Sequence, residues 1–133
     1  SFLFRNKNAE LYAVNSKMSD TVTWPVYEGT PQYFSIVEDM HMFNQYWDST
    51  AQVPYLIKKD KTSLLSYDDP TSVRMKAEYV VSHNCAGVII WEITGDYIET
   101  SPGSGKAGST PLIDAINEVF KNPKRIRKIV RRG

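Results

Sequence analysis

One cysteine, Cys85, stands in the 133 residues. A lone thiol excludes an internal disulfide and leaves the redox compartment open. Two histidines, His41 and His83, lie far apart, and no Cys/His array with metal-ligand spacing accompanies them. No metal and no cofactor is expected, and both histidines read as helix-surface or helix-end residues. No apolar run approaches the ~20 residues that a membrane helix requires, so no membrane partner is expected. The start, Ser1-Phe2-Leu3-Phe4-Arg5, lacks the basic-then-apolar layout of a signal peptide and reads as a chain entered within a strand. The last thirteen residues contain no acid: seven basic residues, Lys121 to Arg132, stand there alone. The first 120 residues carry all fifteen acids against nine bases. Such a tail can contact phosphates, but it is more commonly a solvated helix end, and nucleic acid is not an expected partner.

What is present fits an ordinary globular chain, 41% hydrophobic and 23% charged. At this length roughly two-thirds of the unfolded surface is buried on folding. Leu11–Val14 and Thr21–Trp24 are β-prone, with turn chemistry at Asn15-Ser16-Lys17. Thr30-Pro31 followed by Tyr33, Ile36, Val37, Met40 and Phe43 on one face predicts a helix over 31–44. Two extended runs, Val53–Ile57 and Ser63–Tyr67, flank a lysine-rich turn and predict a hairpin. Asp69-Pro70 is a cap followed by proline, and Val73, Lys76, Ala77 and Val80 continue at helical spacing to His83. Ala86–Trp91 is a continuous apolar run rich in β-branched residues, the pattern of a strand buried on both faces. After a glycine-serine loop, Thr110-Pro111 opens an amphipathic helix marked by Leu112, Ile113, Ile116, Val119 and Phe120. The expected fold class is α+β: a small antiparallel-sheet module first, then helix, buried strand and helix closing an α/β structure.

Three features invite chemistry. Gly103-Ser104-Gly105-Lys106 suggests a phosphate loop, but Thr100 stands where the first glycine belongs and Ala107 follows the lysine, so it reads as a surface loop. Asp68-Asp69 suggests paired carboxylates, but Asp69 before Pro70 is more simply a helix cap. The three tryptophans and eight tyrosines offer rigid faces with polar edges, which stack on sugar rings and also fill cores. Trp24 and Trp47 are read as core or interface residues. Trp91 differs, because it ends a barrel-type strand, where active-site residues are displayed.

Trp47-Asp48, Ala51, Val53-Pro54-Tyr55-Leu56, Leu65-Ser66-Tyr67-Asp68-Asp69-Pro70, Gly87-Val88-Ile89-Ile90-Trp91-Glu92 and Gly95-Asp96-Tyr97 follow one another in the order of family-eighteen chitinases. Over residues 1–120 the chain resembles the C-terminal portion of that family, and the basic tail, 121–133, lies outside the resemblance. The resemblance implies that 1–4 are the end of the seventh strand of a β/α (TIM) barrel. It makes 5–66 the inserted α+β domain and 67–120 the closing helix seven, strand eight and helix eight. It also implies retaining hydrolysis of β-1,4-linked N-acetylglucosamine polymers, with the substrate's acetamido group as nucleophile and a glutamate as acid. That glutamate belongs to a DxxDxDxE motif on strand four, a spacing these residues do not contain. A chain starting at strand seven would lie beyond it. No catalytic residue is therefore assigned here.

Two substrate-binding residues carry over from the resemblance. Trp91 matches the tryptophan that floors the reacting sugar's subsite, and Glu28 resembles a groove-facing glutamate of the inserted domain. Asp48, Tyr55 and Asp68 also match the pattern and are read as structural. The expected function is a portion of a secreted chitinase, supplying cleft wall and subsite floor but inactive alone. The alternative is a non-catalytic glycan-binding or interaction module on the same scaffold. Expected partners are chitin or N-acetylglucosamine oligomers, together with the complementary N-terminal barrel portion or a second copy.

Overall fold

A computed structural model describes residues 2–5, 9–12, 23–24, 30–101, 103–106 and 108–123. The chain divides into two units, Ser1–Asp68 and Asp69–Gly133. Most of the β-prone stretch at 11–24 lies outside the described residues. Of its members, Leu11 and Tyr12 stand in a turn rather than a strand, and Trp24 lies outside any strand.

Among the described residues, the first unit is built on four antiparallel strands in the order β1-β4-β3-β2. The strands are β1 (Phe2–Arg5), β2 (Phe43–Asp48), β3 (Val53–Lys58) and β4 (Ser63–Ser66). The expected hairpin is present, with Tyr55 opposite Ser66 and Leu56 opposite Leu65. Its turn is fixed by Asp60, whose Oδ1 accepts the Thr62 N–H at 3.0 Å, and by Lys61 at φ +59°. The strand β1 overlaps residues 1–4, which the resemblance gives to the end of a barrel strand, and it runs antiparallel beside β4 with Leu3 opposite Leu65.

The helix expected over 31–44 is shorter. The first helix, α1, spans Tyr33–Asp39 and tightens into a 3-10 turn at Met40–Met42; Phe43 then opens β2. Neither Thr30 nor Pro31 starts it, and Gln32 at its N-terminus makes no side-chain cap bond. The period misleads because Phe43 joins the same core from a strand. Trp24, Ile36, Phe43, Leu56, Leu65 and Tyr67 form that core. Trp24 stacks on Phe43 with ring centroids 5.4 Å apart, and its Nε1–H donates to Asp39 Oδ2 at 2.8 Å. Leu56 and Leu65 are fully enclosed, so truncating either to alanine costs about 2–5 kcal/mol. Trp24 is thus a core residue, as expected, while Trp47 is 39% exposed.

The second unit pairs two helices, α2 (Pro70–Ser82) and α3 (Pro111–Lys121). Asp69 caps α2 as the sequence requires. Its Oδ1 accepts the Ser72 N–H at 2.8 Å while Ser72 Oγ accepts the Asp69 N–H at 3.0 Å, a reciprocal capping box. The helix stops at His83 and Asn84, the latter at φ +53°. Ala77 and Val81 pack against Val119, with Ile116 and Phe120 beside them, and Arg74 pairs with Glu118 at 2.5 Å on the exposed rim.

The buried strand expected at 86–91 is not formed. Residues 85–90 belong to no ladder, Ile89 is 99% exposed, and Val88 and Ile90 are exposed as well. The run has strand composition, but a strand needs neighbours, and among the described residues of its unit none pairs with it. A 3-10 turn at Ile93–Asp96 follows, then an isolated bridge between Ile98 and Ser109.

Candidate functional site

Trp91 sits between the end of α2 and the 3-10 turn, and its side chain is 95% exposed. The Trp91–Glu92 peptide is cis. On the far side the turn is closed by the Gly95 N–H donating to the Glu92 carbonyl at 3.1 Å. It is then fastened to α3 by Asp96, whose Oδ1 and Oδ2 accept the N–H groups of Leu112 at 3.0 Å and Ile113 at 2.8 Å.

The helix α3 starts at Pro111 after Thr110, as expected, but its cap differs. Thr110 makes no cap bond to the helix backbone, and Asp96 fills that place from outside the helix. The reason is burial. Asp96 is 4% exposed and faces backbone donors that the helix leaves unpaired at its N-terminus. Desolvation pushes its carboxyl above the ordinary value, and the Ile113 and Leu112 amides pull it partly back. A carboxylate so occupied positions the turn behind Trp91 and is not placed to exchange protons with a ligand.

Glu28, the second residue carried over, lies outside the described residues. Of the residues read as structural, Asp48 turns the chain between β2 and β3. Its Oδ1 accepts the Thr50 and Ala51 N–H groups at 2.9 and 3.1 Å, and Tyr12 donates its hydroxyl to Oδ2. That hydroxyl holds the Asp48 carboxyl below its usual range, against a smaller upward push from burial. The bond from Tyr12 was not legible, since Tyr12 and Asp48 are 36 residues apart in the chain.

The glycine-serine loop and the two histidines lie as the sequence suggests. Gly103–Lys106 is an exposed loop with glycines at φ +73° and +65°, and the next helix begins only at Pro111. His41 follows α1 with its Nδ1 at 3.2 Å from the Glu38 carbonyl, and His83 ends α2 stacked on Tyr79. Among the described residues, no group of three His, Cys, Asp or Glu side chains is arranged to hold a metal ion. No described helix is long and apolar enough to cross a membrane. Chemically, the region around Trp91 offers an exposed aromatic face beside a turn fastened to α3 by Asp96.

The sequence model described as "Glycosyl hydrolases family 18" matches residues 4–96. Chitinase A1 of Niallia circulans is 36% identical over 77 residues, which are 54% of this chain and 11% of that protein. A chitinase of Autographa californica nuclear polyhedrosis virus is 32% identical over 99 residues, 74% of this chain and 15% of that one. Among solved structures, a family-18 N-acetylglucosaminidase from Paenibacillus barengoltzii matches with a TM-score of 0.61 at 28% identity. That match covers 88% of this chain and 30% of the enzyme. The chain thus spans between 11% and 30% of these three proteins.

Proposed function

The chain belongs to glycosyl hydrolase family 18, and we propose that it is the part of a chitin-hydrolysing protein that supplies one wall and part of the floor of the sugar cleft. Trp91 is the floor, its indole lying under a pyranose ring, and Glu28 is a hydrogen-bonding group on the wall. The observation that carries this reading is the exposure of Trp91. A large indole left in water, at the end of an apolar run, is a surface waiting for a ligand or a neighbouring chain. In the assembled protein the acetamido group of the substrate acts as nucleophile, and the acid that protonates the leaving oxygen comes from elsewhere. These residues bind and orient; they contribute no proton. The inserted-domain and barrel portions keep the boundaries of the resemblance, 5–66 and 67–120. Val88–Ile90 then pairs with the complementary N-terminal barrel portion, or with a second copy where that portion is missing. A secreted location goes with the same reading.

A non-catalytic glycan-binding module is the second reading, favoured by the same exposed tryptophan. One titration tests the shared element. Adding N-acetylglucosamine oligomers to the 133-residue chain is expected to shift tryptophan emission to the blue, and Trp91→Ala is expected to abolish the shift. Trp24 is buried and stays silent. An unchanged shift in Trp91→Ala removes Trp91 from the site. The readings separate when the chain is joined to a barrel portion carrying the acid. Hydrolysis that appears on joining supports the enzyme, and binding without hydrolysis supports the module.

A further inference from the structure

The sheet of the first unit has two faces, and the cluster around Trp24 and Ile36 lies on one of them. Phe43, Leu56 and Leu65 point into that cluster. By the alternation of strands, Asn44, Tyr46 and Asp48 on β2 and Tyr55 on β3 lie on the other face. There Tyr46 and Tyr55 are directly opposite one another and stack, with ring centroids 5.2 Å apart and planes 17° from parallel. Tyr46 is 44% exposed and Tyr12, hydrogen-bonded to Asp48 in the same region, is 73% exposed. We propose that this face is a second carbohydrate contact, separate from Trp91, where Tyr46, Tyr55 and Tyr12 receive a neutral chain of N-acetylated sugars.

Four observations point to that occupant. The rings are fixed in advance: a cross-strand register holds two of them, and a buried carboxylate, itself tied to two backbone amides, holds the third. Such preorganisation lowers the ordering cost of binding. Tyrosine rings combine an apolar face with a polar edge, which matches a sugar's C–H face and its hydroxyl rim. The electrostatics match a neutral ligand, since Asp48, the carboxylate among these residues, already accepts three hydrogen bonds. Finally, Asn44 is exposed on the same face of β2, two residues before Tyr46, where its amide is suited to an acetamido group. The sugar class rests on the family reading above; the site does not rest on Trp91.

Nitration of the 133-residue chain, mapped by peptide, tests this without any substitution. A hexamer of β-1,4-linked N-acetylglucosamine is expected to lower nitration of Tyr46 severalfold, leaving Tyr79, exposed on α2, unchanged. An α-linked glucose hexamer is expected to protect neither. In a second arm, Tyr46→Ala is expected to weaken adsorption to insoluble chitin roughly fivefold, the scale of one lost aromatic contact. Trp91→Ala should leave the protection of Tyr46 in place, which separates this site from the proposed subsite floor. Unaltered nitration of Tyr46 at saturating hexamer overturns the proposal. So does protection that grows with protein concentration in the absence of sugar, because the face is then an interface between copies.

Discussion

Asp96 caps a helix it does not belong to: its Oδ2 accepts the N–H of Ile113, 17 residues further along the chain, at 2.8 Å. Its Oδ1 takes the neighbouring Leu112 amide, so one side chain satisfies both N–H groups that follow Pro111 in the first turn of α3. The same bonds fix the end of the turn that follows Trp91, joining the stability of α3 to the position of the candidate floor.

Replacing Asp96 is therefore expected to loosen α3 first. Asp96→Ala removes both acceptors and should cost about 0.5–2 kcal/mol, the range for a lost N-cap. The direct readout is amide hydrogen exchange at Leu112 and Ile113, which should quicken before the rest of the unit. Its pH dependence has a definite sign. Burial raises the folded-state value of Asp96 above its unfolded one. Its contribution is thus fully present below the ordinary carboxylate range and is lost as pH rises through the raised value. Asp96→Asn cannot ionise, so its stability relative to the parent chain should improve from acid to neutral pH. A constant difference between the two would show that Asp96 keeps an ordinary pKa.

Tyr12 and Asp48 give the opposite sign. The Tyr12 hydroxyl is the main cause holding the Asp48 carboxyl low, and the amides of Ala51 and Thr50 add to it. The folded-state value is the lower one, so the contribution is present above the ordinary carboxylate range and lost as pH falls through the depressed value. Tyr12→Phe should raise the Asp48 value partway toward the ordinary range and flatten the acid limb of the stability curve. A carboxyl-carbon NMR titration of both proteins measures the shift. The same value in both would mean that the two backbone amides hold Asp48 unaided.

The exposed run in the second unit leads to an expectation about association. Ile89, Trp91 and Ile93 are all largely exposed, and the backbone of 85–90 makes no ladder. Apolar area and unpaired strand edges both recruit another chain. The isolated 133 residues should self-associate in light scattering, and Ile89→Lys should shift them toward monomer. A monomeric parent chain that unfolds cooperatively and binds no hydrophobic dye would remove the need for a partner.

How far the sequence reached depended on the range of each signal. Asp69-Pro70-Thr71-Ser72 announces a helix within one turn, and α2 begins at Pro70. The β3–β4 hairpin was equally local. β2 was not legible, because Phe43 continues the helical spacing of Ile36 and Met40 while its backbone is already extended. The run at 86–91 shows the reverse failure: its composition is that of a strand, but pairing depends on neighbours that composition cannot supply. Of the candidate site, the exposure of Trp91 follows from that missing pairing. The anchor behind it, Asp96, was visible only as part of a Gly-Asp pair, since a cap acting across 17 residues leaves no local trace.

The kinetic prediction concerns Trp91 itself. Its indole is solvated on nearly all sides in this chain, so truncation opens no cavity and should leave the fold intact. What truncation removes is a stacking face, worth on the order of 1 kcal/mol beyond area burial where two aromatic rings meet. Under a reacting sugar the loss should be larger, because the floor holds the ring in the geometry the transition state needs. In a protein joining this chain to a barrel portion with the acid motif, Trp91→Ala should lower kcat/KM by at least about tenfold, some 1.4 kcal/mol of transition-state stabilisation. The loss should appear on short and long N-acetylglucosamine oligomers alike, because both must occupy the reacting subsite. Glu28→Gln should cost less and mainly with longer oligomers that reach the inserted domain. A denaturation curve for each variant separates binding from folding. Near-normal kinetics in Trp91→Ala, or a loss that tracks unfolding, would return the tryptophan to a packing role against a neighbouring strand.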